Sequence, residues 1–167
     1  MMCRALVSSL ALCLFIATSA RADGCDALTA QMIRGTGASL AGRTGHLVVF
    51  RAADAERMSL DCGPPRRMVF RSREREPQRF YFVLIGLAAK TLAHAASERV
   101  EILAMNLHQA ALLSGEPQFG RVGAAVLRCE PGDHLDGSAD GALCRLAVDR
   151  RSHPRRKARL SALSVAG

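Results

Sequence analysis

The chain has 167 residues, a formal net charge of +8 at pH 7, no tryptophan and a single tyrosine. That length bounds one small domain, and the scarcity of aromatic side chains argues against a stacking cleft for sugars or for single-stranded nucleic acid. The charge is unevenly placed: with Arg4, Arg21 and the six basic residues of 150–167 set aside, 23–149 holds 15 basic and 15 acidic residues, a neutral body with a basic end.

The first residues, MMCRALVSSLALCLFIATSARADG, place Arg4 before an apolar run from Ala5 to Ala17 and end on Ala20-Arg21-Ala22. This is the pattern of a secretory signal peptide over 1–22, cut before Asp23. The apolar run falls short of the roughly 20 residues that span a bilayer. Lipid attachment at Cys25 fits poorly, because Ala22 and Asp23 depart from the residues expected ahead of a lipidated cysteine. The expected organisation is therefore a signal peptide, one globular domain over 23–149 and a basic, disordered tail over 150–167, in the periplasm or secreted. Removing the signal leaves Cys25, Cys62, Cys129 and Cys144. An even count in an oxidising compartment reads as two disulfides, with Cys129–Cys144 the favoured pair and the rest of the pairing open. No C-x-x-C spacing is present for a zinc ribbon or a thiol redox centre.

In chain order, Ala27, Leu28, Met32 and Ile33 suggest a short helix ended by Gly35 and Gly37. The stretch GASLAGRT, Gly37 to Thr44, nearly matches a phosphate loop. However, Arg43 replaces the lysine, and a strand follows it where that loop opens a helix. Strands are expected near 46–51, 56–62 and 67–73, as an antiparallel meander broken by the hard turn Gly63-Pro64-Pro65. Period two in the third strand sends Met68 and Phe70 into the core and Arg71, Arg73 and Arg75 to a solvated face. Pro77 suits a helix start, and Leu84, Leu87, Ala88, Thr91, Leu92 and Ala95 recur at helical steps, so a long helix is expected over 77–96. A second helix over 98–114 carries Val100, Leu103, Leu107 and Ala111, stopped by Gly115 and Pro117. Strands near 121–129 and 143–148 complete an α+β domain, an antiparallel sheet packed against helices.

One alternative treats 99–105 as a strand. With FYFVLIGLAAKTLAHAASERVEIL followed by FGRVGAAVLRC, the element order then loosely resembles small secreted OB-fold domains of the toxin-like binding kind. That resemblance implies a small OB-like barrel and nothing about activity.

The stretch CEPGDHLDGSADGALC, Cys129 to Cys144, is the candidate for chemistry. Asp133, His134, Asp136 and Asp140 could be cast as metal ligands. Calcium loops alternate their oxygens and end on a distal glutamate, and zinc wants more imidazole or thiolate. The stretch reads instead as a polar hairpin connection, with turn signals at Pro131-Gly132 and Asp136-Gly137, clipped by a disulfide. His46, His94, His108, His134 and His153 form no H-E-x-x-H, and no serine sits in G-x-S-x-G. Glu74 with Glu76 and Glu98 with Glu101 sit in charge-rich surface contexts. No catalytic residue, metal or cofactor is expected. The tail residues Arg150, Arg151, Arg155, Arg156, Lys157 and Arg159 form the one candidate contact for a polyanion. The expected function is an exported, disulfide-stabilised, non-catalytic binding or envelope-associated protein. Its partner would be an envelope protein or an anionic lipid or lipopolysaccharide, and nucleic acid is not expected. The alternatives are a polyanion or membrane-surface binder acting through the tail, and a small secreted hydrolase built around His94 or His108 with a carboxylate.

Overall fold

The computed structural model describes residues 24–132 and 141–149. The expected signal peptide over 1–22, the residues Asp133, His134, Asp136 and Asp140 expected in a turn, and the expected tail over 150–167 lie outside the described residues. The elements are α1 (Gly24–Thr36), β1 (Ser39–Thr44), β2 (Leu47–Ala52), β3 (Ala55–Asp61), β4 (Arg67–Ser72), α2 (Arg79–Ala93), α3 (Ser97–Ser114), β5 (Gln118–Val122), β6 (Ala125–Gly132) and β7 (Gly141–Val148). All strand pairs are antiparallel, in one seven-stranded sheet of order β1-β2-β3-β4-β7-β6-β5. The fold is α+β. The sheet is open, with β1 and β5 as its edges, and this corrects the barrel alternative.

Two rows of side chains run across the sheet on one face. Val48, Leu60, Met68, Leu146 and Leu127 form the first, and Phe50, Met58, Phe70, Cys144 and Cys129 the second. Each of these residues is at most 2% exposed. Burying a large apolar side chain is worth about 1.5–3 kcal/mol, so these rows fix which way every strand faces.

The helices cover that face. α3 buries Val100, Ala104, Leu107 and Ala111 at helical spacing, and Cys129 Sγ lies 4.0 Å from the Ala104 carbonyl oxygen. Residues 99–105 are helical because this stripe gives them a buried side, which a strand of the same residues would split between two faces. α2 buries Tyr81, Leu84, Ile85, Ala88 and Ala89. The Tyr81 hydroxyl donates to the Phe70 carbonyl at 3.0 Å, and burial pushes its pKa up, so the phenol stays protonated. Where α2 crosses α3, a Cβ on Gly86 would stand 2.5 Å from the Ser97 carbonyl oxygen. α1 is held by the Cys25–Cys62 disulfide to the end of β3 and by an Arg43–Asp26 ion pair to β1.

Several boundaries differ from the expectations. α2 stops at Ala93 rather than 96, because His94 takes a left-handed conformation (φ 53°), with its N–H donating to the Lys90 carbonyl and the Ala95 N–H to the Ala89 carbonyl. Ser39–Thr44 is a strand that the glycine-rich sequence concealed. The expected strand 121–129 is two strands, folded back at Gly123-Ala124. Gly123 has φ 57°, which a tight hairpin of this kind requires at its first turn position. Pro131 and Gly132 are not a turn: β6 runs to Gly132 and pairs it with Gly141. The Cys129–Cys144 bond, with a Cα–Cα distance of 4.2 Å, is therefore a cross-strand staple inside the core.

Two stability outcomes follow. Gly86→Ala should lose about 1–3 kcal/mol, because the new methyl forces the helices apart. The double variant Cys129→Ala/Cys144→Ala should lose about 3 kcal/mol by loop-closure entropy. Urea unfolding at neutral pH, followed by circular dichroism, checks both.

Candidate functional surface

Because the apolar rows occupy one face, the intervening residues stand on the other, and no helix covers it among the described residues. Arginines recur there at paired positions. Arg57 pairs with Arg71, and the same row continues through Leu143 to Glu130. Arg145 pairs with Arg128, which pairs with Phe119. A third row runs Leu47, Asp61, Arg67, Ala147, Val126, Arg121, and Arg51 stands at the end of β2 on this same side.

Three carboxylates accompany these seven arginines among the described residues. Glu130 is shared by Arg128 and Arg145, Asp61 lies 3.3 Å from Arg67, and Asp149 lies 3.3 Å from Arg121. Exposed pairs of this kind contribute little stability, at most about 1 kcal/mol each. Glu130 draws the Arg128 and Arg145 guanidinium groups together over the sheet. The Arg128 guanidinium carbon lies 5.4 Å from the centre of the Phe119 ring, which is 65% exposed. Val49, Val69 and Val126 fill the gaps, so the face is basic and apolar at once.

Arg71 stands on this face as expected. Arg73 and Arg75 do not join it, because β4 ends at Ser72. Arg73 turns back to Glu56 at 3.2 Å, and the Arg75 carbonyl accepts from His108. The remaining arginines of the surface were missed in the sequence. Their signal lies in the alternation of each strand: Arg57 with Met58, Arg67 with Met68, Arg128 with Leu127 and Cys129, and Arg145 with Cys144 and Leu146.

Two clefts flank the loop before α2. The first, about 370 Å³, is lined by Asp54, Glu56, Glu74, Arg73, Gln78 and Tyr81. Glu56 meets Arg73 through one oxygen; its other oxygen is buried without a partner among the described residues. The second, about 550 Å³, is lined by Phe82, Met105, Leu112 and Leu113 with Glu76, Arg79, Gln109 and His108. His108 is 3% exposed, and its Nε2 donates to the Arg75 carbonyl at 2.8 Å. That bond fixes Nδ1 as the unprotonated nitrogen, which has no partner among the described residues. Burial lowers the imidazole pKa, opposed by the Arg75 carbonyl and by Glu76. His108 and Glu76 thus share a cleft, but no serine, threonine or cysteine lines it. His94 is an exposed helix cap far along α2. Among the described residues, no group of three or more His, Cys, Asp or Glu side chains could hold a metal ion.

Gly37–Thr44 forms edge strand β1, not a phosphate loop. Cys25 pairs with Cys62 and Cys129 with Cys144. Two disulfides point to an oxidising, non-cytoplasmic compartment. Among the described residues, no helix is long and apolar enough to cross a membrane. Compared with protein-family models, curated proteins and solved structures, the chain matches none.

His108 also sets an expected pH dependence. Its pKa in the fold lies below the unfolded value of about 6.5. The unfolded chain therefore takes up this proton first as pH falls, and stability present above about pH 6.5 declines below it. Urea unfolding at pH 7 and pH 5 should show a larger loss for the natural chain than for His108→Gln.

Proposed function

We propose that this chain is an exported, non-catalytic binding protein of the cell envelope, periplasmic or secreted, and locked by its two disulfides. The observation that carries this reading is the contrast between the two sides of the sheet. One side is sealed by helices and sulfur; the other offers a broad surface rich in guanidinium groups. A wide, open, charged surface suits recognition of a partner, whereas catalysis wants converging groups in a cleft. The N-terminal pattern ending at Ala22 and the even cysteine count among the residues after it support export. The His108 cleft favours no hydrolase, since the imidazole's donor nitrogen is held by a backbone carbonyl and no nucleophile faces it.

The reading has a direct check. Protein recovered from an expressing bacterium's envelope or medium should begin at Asp23 by intact mass, and after denaturation without reductant it should show no free thiol. Recovery from the cytosol with residues 1–22 retained and four reactive thiols among Cys25, Cys62, Cys129 and Cys144 would remove the proposal.

A further inference from the structure

Resting on that reading of an envelope binding protein, we infer that the arginine face of the sheet is itself the docking surface, and that its partner is an anionic lipid surface. The sequence places the polyanion contact in the 150–167 tail; the folded body has its own. Seven strands at about 4.8 Å spacing give a face roughly 30 Å wide, and arginines stand on six of them, β2 to β7, the edge strand β5 contributing Arg121. Among the described residues the arginines exceed the carboxylates there by four, seven against Asp61, Glu130 and Asp149. Off this face the described residues balance, eight basic against eight acidic, so the described excess of charge lies on this one side and gives the described residues a directional field. A directional field orients the body as it approaches an anionic plane.

The chemistry between the arginines selects lipid among anionic partners. Valines lie between the guanidinium groups, and Phe119 and Leu47 are exposed on the same side at 65% and 39%. Arginine stems lie along apolar surface while the head groups reach phosphate, and an exposed aromatic ring enters the interfacial layer. Guanidinium forks meet phosphate oxygens in pairs. A purely electrostatic contact with an acidic protein needs no exposed Phe119.

The test uses the full-length exported chain and sedimentation with vesicles made of equal parts phosphatidylglycerol and phosphatidylcholine. One background variant replaces all six tail basic residues with glutamine. On that background, Arg51, Arg57 and Arg71 are changed together to glutamine. A control on the same background changes Arg34, Lys90 and Arg99, which lie on the helices. Each basic residue near an anionic bilayer contributes enough that losing three should weaken binding roughly a hundredfold. The tail-neutral chain should still bind, with affinity falling as salt rises. The triple sheet variant should lose that binding while its circular dichroism and unfolding midpoint stay unchanged, and Phe119→Ser should weaken it without altering the salt dependence. The helix control should bind normally.

The inference is overturned if the tail-neutral chain does not bind, if the helix control loses as much as the sheet variant, if vesicles of phosphatidylcholine alone bind equally, or if poly-glutamate competes away the vesicles at equal charge. None of these results bears on export, which the N-terminal mass and thiol count decide separately.

Discussion

The alternation of side chains across an antiparallel sheet is the constraint on which the rest of this molecule depends. Once the Val48 and Phe50 rows are buried under the helices, every strand has lost its freedom to turn over. The residues between them must stand on the far side whatever their charge. A one-residue slip in β6 or β7 would carry Arg128 or Arg145 to the helix-covered face, where burying a guanidinium group is costly. Core and surface are thus specified together: the apolar residues hold the arginines in rows, and the arginines forbid the alternative register.

The same constraint explains why a neutral body can be strongly polar in its layout. Charge counts over a segment say nothing of direction. Here Arg57 and Arg71 face each other across β3 and β4, an arrangement that would be unfavourable alone. It is tolerated because the face is open to water and because Glu130 stands in the same row. In the sequence Glu130 reads as part of a polar hairpin connection. In the fold it is a strand residue that pulls Arg128 and Arg145 together, and Arg128 in turn leans on Phe119.

The legible parts of the fold were those where local pattern and tertiary packing agree. The meander over 46–73, the long helix and the α+β class follow from periodicity together with the Gly63-Pro64-Pro65 turn and Pro77. α3 is legible as a helix because its stripe from Val100 to Ala111 is continuous. β1 was not legible, because SLAGRT has little apolar character and is an edge strand with burial on one side only. β5 and β6 merged in the sequence because their turn, Gly123-Ala124, sits inside an otherwise apolar run and carries no asparagine or aspartate. The end of α2 was obscured by His94, a residue seldom used in the left-handed region. The arginine surface could not be seen one segment at a time. It is assembled from strands far apart in sequence, and the order β4-β7-β6 that brings Arg71, Arg145 and Arg128 together is set by packing.

The connectivity of the sulfur atoms decides which parts of the fold each bridge holds. Cys25 meets Cys62 and Cys129 meets Cys144, so the bridges are consecutive along the backbone and neither encloses the other. Cysteines paired in this order are joined to their nearest neighbours along the chain, so two independent loops are closed, one tying α1 to the end of β3 and the other tying β6 to β7.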